Sequence, residues 1–321
     1  MIAQGDSLLD PIASPDKDVP VDTGPPGPDS AAEFVLKHGR LPQLGVDSTP
    51  PWVLPGWLLF YVQAAEMQIN GERSRWLHYL KTLEAGHLLD EPIPQIQFGH
   101  EGERADEGSG GHKALAKWAD IVFEEIGSVG ELRGLLDWFL WGLGLAAEAP
   151  RFSEKLNEKL YREIDVSVLL KHPYDYFGGY YAGSKTNKYN RTAFYPTPHS
   201  IVEAMVKMTM VDPGKEPPEN RHSRTLTVCD PCVGTGRMLL HASNYSYCLY
   251  GMDIDAICVA ASKINGALYA PWMTWPFSQR ILGTEVPVPP PPPIPIVTNR
   301  ESSPKREEEV HRVDGRQLRL F

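Results

Sequence analysis

The chain has 321 residues, 42% hydrophobic and 22% charged, enough apolar material for one large domain or two small ones and too much for a wholly disordered polypeptide. Forty-one acidic against 31 basic residues give a formal charge of −10, which argues against coating nucleic acid through bulk positive charge. Residues 1–30 hold six Asp and one Lys, so half of that charge sits in the first thirty residues and a local basic face elsewhere stays open.

The longest apolar run, Trp52 to Ala65, is interrupted by Pro55, Gly56 and Gln63 and falls short of the roughly 18 residues a membrane span needs. Met1 to Asp6 carries no positive segment and no sustained apolar stretch, so no secretory signal is read and a cytoplasmic location is expected. Four cysteines do not make a disulfide framework in a chain of this size. Cys229 and Cys232 have CxxC spacing, but no second CxxC or His pair answers them, and no metal site is assigned.

In chain order, residues 1–30 are rich in Asp, Pro, Gly and Ser and poor in large apolar groups, which predicts a disordered acidic leader. Residues 31–171 read as a helical domain. Ala31 to His38 and Gln63 to Ala85 have helical patterns, the latter with Trp76, Leu77, Leu80 and Leu83 at three- and four-residue intervals. Gly99 to Gly111, with five glycines, reads as an exposed loop. Leu115 to Ile126 and Leu132 to Leu145 read as helices, and Ser153 as the N-cap of a helix through Leu160 and Ile164.

The character changes near residue 172. His172 to Asn190 is dense in Tyr, Gly and Asn, and Lys185, Lys188 and Arg191 follow without an acid between Ser184 and Arg191. Aromatic groups interleaved with basic ones suit phosphates and unstacked bases; a loop that packs on the next domain is the plainer reading. Thr197 as N-cap and Pro198 at the first helical position start a helix carrying Ile201, Val202, Met205, Val206 and Met208. Thr225 to Cys229 and Leu249 to Asp253 read as strands, with a helix over Arg237 to Asn244 between them, one strand-helix-strand unit of a parallel sheet.

The first strand leads into Asp230-Pro231-Cys232-Val233-Gly234-Thr235-Gly236. Glycines at a strand-to-helix turn let the backbone approach a ligand closely. Asp253, at the end of the next strand, stands where a carboxylate can accept hydrogen bonds from both hydroxyls of a ribose. The pair of signals points to a nucleoside cofactor, with an Asp cap and Gly turn of an unrelated α/β domain as the alternative.

These segments, with Phe194-Tyr195-Pro196-Thr197-Pro198 ahead of them and Gly251-Met252-Asp253-Ile254-Asp255 after, resemble the adenine-specific, amino-methylating DNA methyltransferases, especially modification subunits of type I restriction systems. The resemblance covers about residues 172–299. It implies a Rossmann-like S-adenosylmethionine-dependent methyltransferase fold preceded by a helical N-terminal domain, with S-adenosylmethionine as cofactor and DNA as partner. Phe194, Thr197 and Pro198 would contact the cofactor, Asp230, Gly234 and Gly236 would hold its methionine part, and Asp253 its ribose. Lys185, Lys188 and Arg191, in the basic and aromatic segment above, are the candidate DNA contacts. Asn265-Gly266 resembles the family's helix ending after the second strand, and Ile281-Leu282-Gly283-Thr284 its third strand, with Thr284 where an aspartate is usual.

Such enzymes flip the target adenine into an Asn/Asp-Pro-Pro-aromatic loop. Here Asn299 stands as the candidate catalytic residue, but Arg300-Glu301-Ser302 replaces the prolines and the aromatic. Seven of the nine residues Pro287 to Pro295 are proline and cannot form a central strand, and only about twenty residues follow Asn299. The expected fold is therefore truncated after its cofactor-binding half, or completed by other segments or by a specificity or completing subunit. Residues 172–285 form the expected cofactor-binding domain and 286–316 a proline-rich, charged linker. In residues 317–321, Gln317, Leu318, Leu320 and Phe321 resemble the Gln-Leu-x-Leu-Phe peptide with which bacterial proteins bind the sliding clamp. The sequence thus carries two functional readings, a clamp-recruited adenine DNA methyltransferase and a non-catalytic cofactor- or DNA-binding adaptor. A dehydrogenase-type dinucleotide protein fits the loop poorly.

Overall fold

The computed structural model describes residues 49–100, 109–127, 130–184, 194–211, 221–284 and 318–319. The first helices are α1 (Leu59–Asn70) and α2 (Arg75–Ala85). The single helical pattern expected over this stretch breaks because Gly71 adopts φ 54° and a 3-10 turn, Gly71–Arg73, intervenes. Ser74 then caps α2, its side chain accepting the Leu77 N–H. The buried face of α2 is Arg75, Trp76, His78, Tyr79 and Thr82, whereas Leu80 and Leu83 are exposed. Of the residues that carry the helical spacing, Trp76 is buried, whereas Leu80 and Leu83 point outward. The inward groups are those with specific polar partners: the Trp76 indole donates to the Ala267 carbonyl at 3.0 Å and the Tyr79 hydroxyl to that of Trp275 at 2.9 Å.

Helix α3 (Ser109–Ile126) starts inside the stretch expected to be an exposed loop. Gly111 lies in its first turn, where a Cβ would come within 2.4 Å of the Tyr176 ring. Helices α4 (Glu131–Gly142), α5 (Glu154–Glu163), α6 (Ser167–Leu170) and α7 (Tyr176–Gly183) follow, and Ser153 caps α5 as expected by accepting the Leu156 N–H. Helix α3 packs on α4, α5, α6 and α7. Aromatic rings fill the space between, with Trp57 edge-on to Trp138 at 5.1 Å. Three more buried indoles find acceptors, Trp138 in Asn157, Trp118 in the Glu163 carbonyl and Trp141 in the Trp52 carbonyl, whereas those of Trp52, Trp57 and Trp272 have none among the described residues.

Helix α8 (His199–Met210) begins one residue later than expected, with Pro198 as the N-cap position rather than the first helical residue. Thr197 caps nothing; its carbonyl accepts from Arg237. Then come β1 (Val228–Asp230), α9 (Arg237–Ala242), β2 (Leu249–Asp253) and α10 (Ala256–Tyr269). β1 and β2 are parallel, with Val228 opposite Leu249 and Asp230 opposite Gly251, so the protein is mostly helical around one small strand-helix-strand unit. Residues Leu318–Arg319 form β3, which pairs antiparallel on the other edge of β2, giving the order β1-β2-β3.

Two features implied by the family resemblance are corrected. Asn265-Gly266 does not end a helix: both lie inside α10, and Gly266 leaves room for α11 (Pro271–Thr274), since a Cβ there would meet the Thr274 hydroxyl at 2.3 Å. Ile281 to Thr284 is not a third strand. Ser278 caps a short helix α12 (Gln279–Leu282), which Gly283 ends in the left-handed conformation at φ 66°, and local capping outweighs the apolar Ile-Leu pair.

The apolar core is continuous from Trp52 to Phe277. Helix α10 packs on α4, and α11 on α2. Arg75, 2% exposed, ties the helices to the strand unit by donating to the Pro94, Ser243 and Tyr269 carbonyls and to the Ser243 and Asn244 side chains. It also lies over the Trp272 ring. Burial pulls its guanidinium down to about 9, against the opposing pull of Glu66. Among the described residues no helix is long and apolar enough to cross a membrane.

Candidate functional site

A cavity of about 300 Å³ opens where β1 and β2 end. Its lining includes Phe194, Thr197, Asp230, Gly234 and Asp253, five of the seven residues expected to bind a cofactor. The other two stand just behind. Pro198 starts α8, and Gly236 precedes α9 with φ 94°. Gly236 is required by both its backbone and its surroundings, since a Cβ would sit 2.6 Å from the Ser262 hydroxyl. Gly234, φ 54°, faces the Phe194 ring, which a Cβ would approach to 3.0 Å.

The loop is fastened from the cavity side by Asp253. One carboxylate oxygen accepts the Gly234 N–H and the other the Asp255 N–H, both at 2.8 Å. The Val233 N–H donates to the Met252 carbonyl, extending the strand pairing past Asp230. Asp230 turns its carboxylate onto the Cys232 N–H at 3.0 Å. Burial raises the Asp230 carboxyl above its ordinary value, the Cys232 N–H opposes that, and the neighbouring Asp253 adds to it. Phe194 is held in turn by Tyr181, whose ring stacks on it at 5.2 Å and whose hydroxyl donates to Asp255 at 2.7 Å. Tyr195, 90% exposed, stands at the rim.

From behind, the same loop is fastened by a group the sequence reading did not single out. Asp175 is fully buried and accepts four hydrogen bonds, from the Gly178 N–H, the Thr235 hydroxyl, Arg237 Nε and Asn265 Nδ2. Burial alone would raise its carboxyl; the Arg237 charge and the Thr235 hydroxyl overcome that and hold it below the ordinary value. The Asn265 amide also donates to the Thr235 carbonyl at 2.9 Å. The signals for this network were an Asp ahead of the helical stretch from Tyr176 and an Arg directly after Gly236. Neither has a distinctive spacing.

The first half of the tyrosine-rich segment, expected as a loop, is helix α7, and its aromatic groups pack inward around His112, His199 and Phe194. The candidate DNA contacts Lys185, Lys188 and Arg191 lie outside the described residues, as do Asn299 and Gln317, Leu320 and Phe321. Leu318 is described through its backbone pairing with β2. Cys229 and Cys232 are free and exposed, and among the described residues no group of three His, Cys, Asp or Glu side chains is placed to hold a metal ion.

Three carboxylates, Asp230, Asp253 and Asp255, line the cavity together with apolar Phe194 and Ile254 and the cation Arg237, whose charge is paired with Asp175. A polyphosphate would meet like charge there, whereas a ligand with hydroxyl donors and a positive group would meet acceptors. A carboxylate offers about four lone-pair sites, so the bond to Gly234 leaves Asp253 with capacity for further donors. No family model matches this chain, and no curated protein or solved structure was found to be similar to it.

Proposed function

We propose that the cavity between Phe194 and Asp253 binds S-adenosylmethionine, and that the protein is an N6-adenine DNA methyltransferase-like protein built on a Rossmann-like methyltransferase fold. One observation carries the reading: a carboxylate at the end of β2 lies across a glycine loop from β1, with an aromatic ring over that loop, all lining one cavity. The residues fit the cofactor's chemistry. Asp253 would take the ribose hydroxyls, Asp230 and the backbone around Gly234 the charged methionine part, and Phe194 the apolar edge. The cofactor, when bound, supplies an electrophilic methyl group on a sulfonium; the chain supplies acceptors, a stacking ring and a rigid loop. The excess of carboxylates supports this reading over a dinucleotide, whose pyrophosphate they would repel.

A second reading, a cofactor-binding adaptor without methyl transfer, is favoured by Asn299-Arg300-Glu301-Ser302, which keeps one amide acceptor and lacks the stacking aromatic. Under either reading the protein works in the cytoplasm on DNA, with Lys185, Lys188 and Arg191 toward phosphates. Gln317 to Phe321 would recruit it to the sliding clamp, raising its local concentration on newly made DNA. A specificity or completing subunit would supply the base pocket.

Calorimetric titration of the protein with S-adenosylmethionine, followed by transfer of labelled methyl groups to unmethylated DNA, tests these readings. Binding with transfer supports the enzyme and binding without transfer the adaptor, while absence of binding removes the enzyme and the cofactor-binding adaptor and leaves only the inherited fold.

A further inference from the structure

The pairing of Leu318–Arg319 with β2 falls at a sensitive place. Met252 lies opposite Arg319 and Asp253 opposite Leu318. Met252 turns its carbonyl toward the β1 side, where Val233 donates to it. Backbone groups of successive strand residues turn to opposite edges, so the N–H and C=O of Asp253 turn toward β3. The residue whose side chain clasps the glycine loop is thus flanked on its backbone by a segment that follows it in sequence by 65 residues.

We propose that Leu318–Arg319 act as a releasable edge strand that braces the carboxyl end of β2 and, through it, the Asp253 clasp on Gly234. Three observations support this. Among the described residues β2 has β1 on one side and β3 on the other, so without β3 that edge would present bare backbone groups. The pairing is two residues long, short enough to open independently of the global fold. And the braced residue bonds both ways, to Gly234 in the loop and to Asp255 in the turn before α10, so loss of order at Asp253 reaches both walls of the cavity. A partner that takes the same residues as an extended peptide must first displace them from β2. By reciprocity, a ligand that orders the Asp253 clasp must then strengthen the seating of the segment. What the brace would regulate rests on the cofactor reading above; the brace itself does not.

Hydrogen exchange on the ligand-free protein tests it, comparing the full chain with a deletion of residues 317–321 and with Leu318→Pro, which keeps the length but removes the N–H facing Asp253. Exchange in residues 250–254 is expected to accelerate at least about fivefold in both variants, the lower end of ordinary coupling, and exchange in residues 232–236 to accelerate with it, while α4 stays unchanged. Equal exchange in residues 250–254 across the three proteins would show that the segment does not brace β2. Acceleration there without any in 232–236 would overturn the coupling to the loop. S-adenosylmethionine titrated into the same proteins separates the two proposals: if the full chain does not bind it the cofactor reading fails, and the exchange result still decides the brace.

Discussion

The two sides of the Gly234–Gly236 loop hold carboxylates of opposite character. Behind it Asp175 is fully buried, paired with Arg237 and supplied with four donors. In front Asp230, Asp253 and Asp255 line a cavity, and the Asp253 oxygens each receive one backbone N–H. The Asp175 carboxylate already accepts four hydrogen bonds and acts as scaffold; removing one partner of the buried pair strands the other in a low-dielectric interior. A partly exposed carboxylate with spare lone pairs can still accept hydrogen bonds from a ligand.

The comparison breaks most visibly at the back. Asp175→Ala leaves the Arg237 charge buried and unpaired, and its expected cost is about 3–5 kcal/mol of unfolding free energy in a denaturant titration, against about 1 kcal/mol for Asp253→Ala, which loses backbone hydrogen bonds near solvent. Similar losses for the two would erase the distinction between scaffold and site.

Acid acts next, and in a known direction. His78 and His241 are pulled down to about 4 and about 3, both by burial first, with Arg75 adding for His78 and His199 for His241. Unfolded imidazoles take up protons below roughly pH 6.5 while these two stay neutral, so stability falls as pH drops below that value. The loss should be about 2 kcal/mol for each histidine by pH 5, about 4 kcal/mol for the two. Asp175, held below its ordinary value, contributes stability present above the ordinary carboxylate range and lost as pH falls through its folded value, so a second decline follows in stronger acid. Urea unfolding across this range checks both; a flat profile between pH 7 and 5 would remove the histidine argument.

On the cavity side, Asp253→Ala is expected to weaken S-adenosylmethionine binding at least about tenfold, the lower end for a charged hydrogen-bonding group. Asp230 sharpens the point. Its carboxyl is raised, by burial first, and only its ionised form attracts a cationic ligand, so affinity should climb as pH rises through the Asp230 value and level off toward neutrality. The smallest effect expected is at Leu83→Lys on the exposed face of α2, within about 0.5 kcal/mol of the parent protein.

How far the sequence could be read follows the same division. The glycine loop and Asp253 were legible because strand-end carboxylates and paired glycines stand at fixed offsets, and the cavity brings them together. Ser153 was legible because capping is local chemistry. Asp175 was not, because its four partners come from Gly178, Thr235, Arg237 and Asn265, and three of them are remote in sequence. The buried face of α2 was not legible for a related reason: the helical spacing gives the period, but Arg75, Trp76 and Tyr79 are drawn in by carbonyls of segments far along the chain. Ile281 to Thr284 misled because an apolar pair before a glycine suits a strand end as well as a helix end, and the Ser278 cap decides between them.

The most direct measurement is a crystal structure of the protein soaked with S-adenosylmethionine. The account predicts density in the cavity beside Phe194, with ribose hydroxyls within about 3 Å of the Asp253 carboxylate and the Asp175–Arg237 pair unmoved behind the loop. An empty cavity at saturating ligand, or a ligand seated away from Asp253, would contradict it.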